Sequence, residues 1–171
     1  GIGGGTFGAG GTVNISGGTV KAFARDYAAG IGGGYYSTGG TVNISGGTVI
    51  AAGDTGGKDI GPGAGGTDGG ANTFTGGSIR LASDTIAPAP FNDNTERVWC
   101  VTVPNLTSNA AVTVASLGTY GVNDLYADEN GKLYLWLPDG DYAFTANSAG
   151  YTAAVNGAPS TAVRSPEAPV F

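Results

Sequence analysis

The chain has 171 residues, enough for one or two small domains with a buried core. It contains 34 glycines without the Gly-X-Y period of collagen, and 40% of its residues are hydrophobic, so the glycines are expected in tight turns of an ordered fold. Seven basic residues against 13 acidic ones argue against a nucleic-acid-binding surface, and no apolar run is long enough for membrane insertion.

The first half of the chain repeats itself with a period of 29 residues. The string GGTVNISGGTV occupies residues 10–20 and 39–49, and GIGGG occupies residues 1–5 and 30–34, with a degraded third copy after them. Apolar and polar residues alternate within TVNIS, which is the pattern of a half-buried strand. We predict up to three short strands in each repeat, namely GIG, TVNIS and TVKA, separated by Gly-Gly corners.

A repeat this thin can bury its apolar face only by stacking on its neighbours. The period therefore predicts an all-β fold that begins with a short parallel β-helix (solenoid) of about three rungs over residues 1–87. The predicted inward ladders are Ile2, Ile31 and Ile60; Val13, Val42 and Asn72; Ile15, Ile44 and Phe74; and Val20, Val49 and Ile79. The stack is expected to end where Asn72 replaces valine. The alternative is an antiparallel hairpin array that turns at Gly17 and Gly18.

The repeat motifs at 1–5, 10–20, 30–34 and 39–49 resemble the glycine-rich repeats of secreted and cell-wall-anchored bacterial proteins, some of which are described as carbohydrate-binding. The resemblance implies an extracellular location, either secreted or attached to the cell wall, and a glycan or host-surface ligand. Because the chain opens inside a repeat, the first rung is expected to be open to further rungs or to a second chain.

Residues 88–95, which include Pro88 and Pro90, are predicted to form a linker. Short strand patterns separated by turn signals follow it and predict a small Ig-like β-sandwich over residues 96–171 with an extended C-terminal tail. The predicted strands are 96–103, 111–117, 121–126, 132–137, 142–147 and 151–156.

The most specific stretch of this second unit is DENGKLYLWLPDGDYAFTA at residues 128–146, followed by Gly150 and Tyr151. It resembles the signature of prealbumin-like sandwich modules, which occur in carboxypeptidase regulatory-like domains and in the B-type repeats of Gram-positive adhesins. Members with an isopeptide crosslink place a lysine on the first strand. The first strand here has none, so we expect no internal isopeptide bond.

The absence of histidine excludes Ser-His-Asp and Cys-His catalytic sites and histidine-ligated metals. The acids of the repeats recur at no common position, which disfavours a carboxylate pair for glycosidic cleavage. No cofactor is expected except, as an alternative, calcium held by Asp54, Asp59 and Asp68. The single cysteine, Cys100, is predicted to be a buried structural thiol.

Aromatic side chains that can lie on a sugar ring are the candidate ligand-binding residues. Tyr134 and Trp136 point away from the predicted core of their strand and are candidates for an exposed platform, unless this face packs on the solenoid or on Trp99. Phe7, Tyr35 and Tyr36 follow the Gly-Gly-Gly motifs and are the other candidates. We therefore predict a non-catalytic surface module for adhesion or glycan binding. The alternatives are a stalk or filament subunit that stacks end to end through the first rung, and a fragment of a polysaccharide-degrading enzyme.

Overall fold

The computed structural model describes residues 1–166, and the prediction of an all-β chain is confirmed over this range, where every regular element is a strand. Residues 167–171, the end of the predicted C-terminal tail, lie outside the described residues. Across residues 1–166 the structure contains no helix of the length and apolarity needed to cross a bilayer.

Each repeat contributes one two-residue strand and one long strand. The strands of the first half are β1 (Ile2–Gly3), β2 (Thr12–Phe23), β3 (Ile31–Gly32), β4 (Thr41–Ala52), β5 (Ile60–Gly61), β6 (Asn72–Leu81) and β7 (Pro90–Phe91). The short strands form one sheet in the order β1-β3-β5, and the long strands form a second in the order β2-β4-β6-β7.

Equivalent strands of successive repeats pair in parallel, with identical residues in register. Ile2 pairs with Ile31, which pairs with Ile60, and Ile15 pairs with Ile44, which pairs with Phe74. The antiparallel hairpin alternative is wrong, since no chain reversal occurs at the glycine pair.

The Gly-Gly pairs lie inside the long strands, so the prediction that they separate TVNIS from TVKA as two strands is wrong. Ile15 and Val20 are five residues apart and would face opposite sides of a regular strand. A register shift next to Gly17 and Gly18 marks a bulge, and the extra residue returns Val20 to the side of Ile15.

The predicted inward ladders are found in one core. The side chains of Ile31, Val42, Ile44, Val49 and Ile60 are at most 1% exposed. The other buried apolar ladder positions, also in this core, are Ile15, Phe74 and Ile79. Ile2 is 37% exposed because β1 lies at the edge of its sheet.

The stack of strands continues past the third repeat, contrary to the prediction that it ends at Asn72. Ile86 forms a parallel bridge to Ile60, and β7 pairs in parallel with β6, so residues 88–95 add to the sheet as well as connecting two regions. The Asn72 side chain is buried, where it accepts a hydrogen bond from the Val42 amide (3.3 Å) and donates one to the Pro88 oxygen (2.8 Å).

The second half of the chain forms two sheets that share one core. Its strands are β8 (Val98–Val103), β9 (Val114–Ala115), β10 (Leu133–Pro138), β11 (Gly140–Ala146), β12 (Ala149–Val155), β13 (Ser160–Thr161) and β14 (Val163–Arg164). The orders are β10-β8-β13 and β14-β12-β11-β9. Leu133, Leu135 and Leu137 are buried in this core, as their alternation predicts, and Phe144 stacks there on Tyr151.

Residues 121–126 form no strand of these sheets, contrary to prediction, because this segment crosses the bulges of the repeats. The Gly121 amide donates to the main-chain oxygen of Thr75 in the third repeat. The main-chain oxygen of Asn123 accepts a hydrogen bond from the Gly47 amide in the second repeat. The Asp124 carboxylate accepts from the Gly18 amide of the first repeat at 2.8 Å. The C-terminal half of the chain thus packs against the glycine bulges of the repeats.

Candidate functional site

Trp136 lies between the two halves of the molecule and forms no exposed platform, so this prediction is wrong. Its side chain is 8% exposed and belongs to the core of the repeats. The indole meets Phe74 edge to face at 5.2 Å, and its N–H donates to the Ile79 oxygen at 2.9 Å. The alternative, that this face packs on the repeats, describes Trp136 correctly.

Tyr134 is half-buried beside Arg80 and also forms no platform with Trp136. Its hydroxyl donates to the Asp128 carboxylate at 2.7 Å, and its amide donates to the Ser78 hydroxyl at 3.0 Å. Burial, followed by the hydrogen bond to Asp128, raises the pKa of Tyr134. The side chain therefore belongs to a fixed polar network.

The three candidate calcium ligands do not converge, and residues 1–166 contain no group of three or more acids and cysteines that could hold a metal ion. Asp59 is buried, and its carboxylate accepts from the main-chain amides of Gly53 (3.0 Å), Ser83 (2.7 Å) and Thr85 (3.2 Å). Asp68 is exposed. The structure therefore does not favour the calcium alternative, because the Asp59 carboxylate is bonded to main-chain amides of the second and third repeats.

Cys100 is half-buried beside the core of the repeats. Desolvation raises the pKa of its thiol to about 12. The thiol therefore stays protonated at neutral pH, in line with the predicted structural role.

Phe7, Tyr35 and Tyr36 do come together, and Tyr27 joins them in an exposed group that we call the aromatic cluster. Tyr35 is at its centre, with ring centroids 6.1 Å from Phe7, 5.1 Å from Tyr27 and 4.3 Å from Tyr36. Phe7 is 71% exposed, Tyr36 is 60% exposed and Tyr27 is 49% exposed. Burial in a core therefore does not account for these rings.

Phe7 and Tyr36 occupy the same position in equivalent β-turns of the first two repeats. The turns are closed by hydrogen bonds from Gly8 to Gly5 (2.7 Å) and from Ser37 to Gly34 (3.1 Å). Phe7 and Tyr36 are the third residues, with φ angles of 59° and 54°. A left-handed conformation at this position normally selects glycine or asparagine.

The third repeat uses glycine at this position, where Gly65 has a φ of 71°. Tyr27 repeats the relationship in a second set of turns, since its φ is 65° and the equivalent Gly56 has a φ of 77°. Three of the four aromatic residues in the cluster thus replace a glycine that a sister repeat retains.

A bulky residue in the left-handed region costs about 1–2 kcal/mol relative to glycine. The exposed rings of Phe7, Tyr27 and Tyr36 gain little by burial to offset that cost. Residues with backbone strain of this kind cluster at functional sites. The strain and the exposure together mark the aromatic cluster as the candidate functional site.

Polar groups border the aromatic rings. A hydrogen bond to Tyr36 is the main cause of a raised pKa at Tyr35, so the Tyr35 phenol is protonated at neutral pH. The amide of Tyr27 donates to the Asp54 carboxylate at 3.1 Å and is the main cause of the lowered pKa of Asp54. The cluster therefore offers apolar ring faces, phenol hydroxyls and one ionised carboxylate to a ligand.

Sequence reasoning identified three members of the cluster and missed Tyr27 as a site residue. The usable signal was the 29-residue offset between Tyr27 and Gly56, because a glycine at an equivalent turn position indicates a positive φ there. In comparisons with family models, curated proteins and solved structures, no match to this chain was found.

Proposed function

We propose that the chain is a non-catalytic extracellular module that binds glycans through the aromatic cluster. In this proposal the repeats form a short parallel β-helix, and the C-terminal half is a prealbumin-like sandwich attached to its side and end. The in-register parallel pairing of the repeats and their common core support the first part. The two sheets that share a core support the second.

The observation that carries the proposal is the aromatic cluster, in which three exposed rings belong to residues with a positive φ. Sugar rings present C–H faces that pack on aromatic side chains, while their hydroxyls need polar partners nearby. The cluster offers both, since Tyr27, Tyr35 and Tyr36 carry hydroxyls and Asp54 lies beside Tyr27. Phe7 belongs to the first repeat and Tyr36 to the second, so the rings extend along the stack and suit an oligosaccharide better than a single sugar.

A glycan array probed with the wild-type chain and with a Phe7→Gly/Tyr36→Gly variant tests the proposal. Glycine suits the backbone at both positions, so the variant removes the rings without adding strain. Phe91→Ala is the matched control, because Phe91 is an aromatic residue with 38% exposure outside the cluster. Binding by the wild type and the control, with loss in the double variant, supports the proposal. No binding by the wild type to any glycan contradicts it.

A second candidate function is self-association through the first repeat, favoured by the free edge of β2. This strand ends its sheet, Phe23 on it is 58% exposed, and Ile2 on the neighbouring sheet edge is 37% exposed. The opposite end is covered by β7, so copies would meet first repeat to first repeat. Sedimentation velocity tests this candidate, and a monomer at every concentration would contradict it.

A further inference from the structure

A groove separate from the aromatic cluster lies between the C-terminal half of the chain and the outer face of the sheet that the long strands β2, β4 and β6 form. Its cavity volume is about 210 Å³. Its floor is formed by in-register residues of β2, β4 and β6, of which Lys21 pairs with Ile50 and Ile50 pairs with Arg80. Its wall is formed by residues between Tyr126 and Lys132, and by the start of β10.

Positive charge is concentrated in this groove although the protein as a whole is acidic. Three of the seven lysine and arginine residues line it, namely Lys21, Arg80 and Lys132. Only two acids, Asp128 and Glu129, line it with them. The groove therefore has a surplus of one positive charge in a chain whose net charge is −6.

The two acids are both engaged by Arg80, which leaves the lysines for a ligand. Arg80 donates to Glu129 at 2.7 Å and lies 3.5 Å from Asp128. The described residues place no carboxylate within salt-bridge distance of Lys21 or Lys132. An unpaired ammonium at the mouth of a concave site is a natural partner for an incoming anion.

Hydrogen bonds within the protein hold the floor and the wall of the groove in place before any ligand binds. The Thr48 hydroxyl accepts a hydrogen bond from the Tyr126 amide at 2.8 Å and donates one to the main-chain oxygen of Asp124 at 2.9 Å. The Asp128 carboxylate accepts from the Tyr134 hydroxyl at 2.7 Å and from the Lys132 amide at 2.9 Å. These bonds pre-organise the site, which lowers the entropic cost of binding.

Tyr126 supplies the apolar part of the site. Its side chain is 43% exposed although its amide is fixed to Thr48. An exposed ring that lines the same groove as two lysines matches a small molecule with both an apolar face and an anionic group.

We propose that this groove binds a carboxylated sugar residue, such as a uronic acid, with its carboxylate at Lys21 and Lys132 and its ring against Tyr126. The site is independent of the aromatic cluster and does not require the cluster to bind glycans. It gives the molecule a second recognition surface that selects for acidic saccharides.

An NMR titration of the ¹⁵N-labelled chain with glucuronic acid, glucose and acetate tests the assignment. Glucuronic acid is expected to shift the amide signals of Lys21, Tyr126 and Lys132, whereas glucose is expected to leave them in place. Lys21→Gln/Lys132→Gln is expected to raise the Kd at least about tenfold, since it removes two charge-assisted hydrogen bonds. Lys58→Gln is the charge-matched control, because Lys58 lies outside the groove.

The remaining outcomes overturn the assignment. Acetate that binds as tightly as glucuronic acid would reduce the groove to a general anion site. Absence of glucuronic acid binding, or binding that the double lysine variant leaves unchanged, would remove it altogether. Binding in the groove should also persist in Phe7→Gly/Tyr36→Gly, so failure at one site is distinguishable from failure at the other.

Discussion

Tyr36 and Gly65 occupy the same turn position in successive repeats, with φ angles of 54° and 71°, and the ring of Tyr36 lies directly against Gly65. A Cβ atom at Gly65 would come within 2.7 Å of Tyr36 Cδ1. The positive φ of Gly65 and its contact with the Tyr36 ring both favour glycine at this position of the third repeat. The same turn geometry thus carries a glycine in the third repeat and an exposed aromatic side chain in the second.

Replacement of Tyr36 by glycine should leave the free energy of unfolding unchanged or raise it by up to about 1 kcal/mol. The variant removes left-handed strain, and this gain offsets the loss of a ring that is 60% exposed. Urea denaturation followed by circular dichroism measures the change.

Tyr35→Gly is the matched control for this prediction, because Tyr35 has no positive φ and lies at the centre of the cluster. Its replacement by glycine should lower the free energy of unfolding by about 1 kcal/mol or more. Equal losses in both variants would contradict the strain argument.

Trp136→Ala should lower the free energy of unfolding by about 3–5 kcal/mol. The substitution leaves a cavity beside Phe74 and removes the hydrogen bond to the Ile79 oxygen. Trp136→Phe keeps much of the packing and should cost less, about 1–3 kcal/mol, for the unpaired oxygen. Thermal and chemical denaturation measure both. A loss below about 1 kcal/mol for Trp136→Ala would show that the two halves do not depend on this contact.

The contrast between Trp136 and Leu135 shows how far the sequence could predict this fold. The alternation of Leu133, Leu135 and Leu137 is local and correctly identified one buried face of β10. Whether Trp136 on the other face is exposed depends on whether β10 packs on β6, 57 residues earlier, and no local pattern encodes that contact.

The glycine pairs of the repeats show a second limit of sequence reasoning. The 29-residue period predicted the in-register pairing of Ile15 with Ile44, because equal residues one period apart stack well. The sequence pattern also predicted that the Gly-Gly pairs form corners between strands, because glycine favours turns. Their bulges are explained by the contact with Gly121 and Asn123, which comes from a distant part of the chain.

Gly76→Ala should lower the free energy of unfolding by about 1–3 kcal/mol through overpacking. A Cβ atom at Gly76 would clash with the Ser45 carbonyl oxygen and lie 2.6 Å from the Cα of Gly121, and both groups are main chain that cannot rotate away. Hydrogen exchange should show weaker protection of the Gly77 and Gly121 amides, which bond across this contact.

Gly5→Ala is the control for the bulge prediction. Gly5 has no positive φ, and nothing lies within 4 Å of its Cβ position, so the change should stay within about 0.5 kcal/mol. Equal effects of Gly76→Ala and Gly5→Ala on stability and exchange would contradict the role given to the bulges.

Acid should weaken the polar network around Asp128. Burial favours its neutral form, but hydrogen bonds from Tyr134, Lys132 and Asn130 hold the pKa of Asp128 below its usual value. A pKa that is lower in the folded state adds stability above the unfolded pKa, about 3.9, and this contribution is lost as pH falls through the folded pKa.

Urea denaturation at about pH 7, 4 and 2.5 tests this dependence. Asp128→Asn should be less stable than the wild type at pH 7, and its stability should change less between pH 4 and 2.5. Parallel pH curves for the two proteins would show that Asp128 does not contribute to acid sensitivity.

The most direct test of the central claim is the affinity of one array-identified glycan for the wild type and for Phe7→Gly/Tyr27→Gly/Tyr36→Gly, measured by isothermal titration calorimetry. The account predicts a triple variant that unfolds at the same temperature as the wild type or higher and has lost at least about a hundredfold in affinity, from three stacking contacts of about 1 kcal/mol each. A triple variant that binds the glycan as tightly as the wild type would contradict the account.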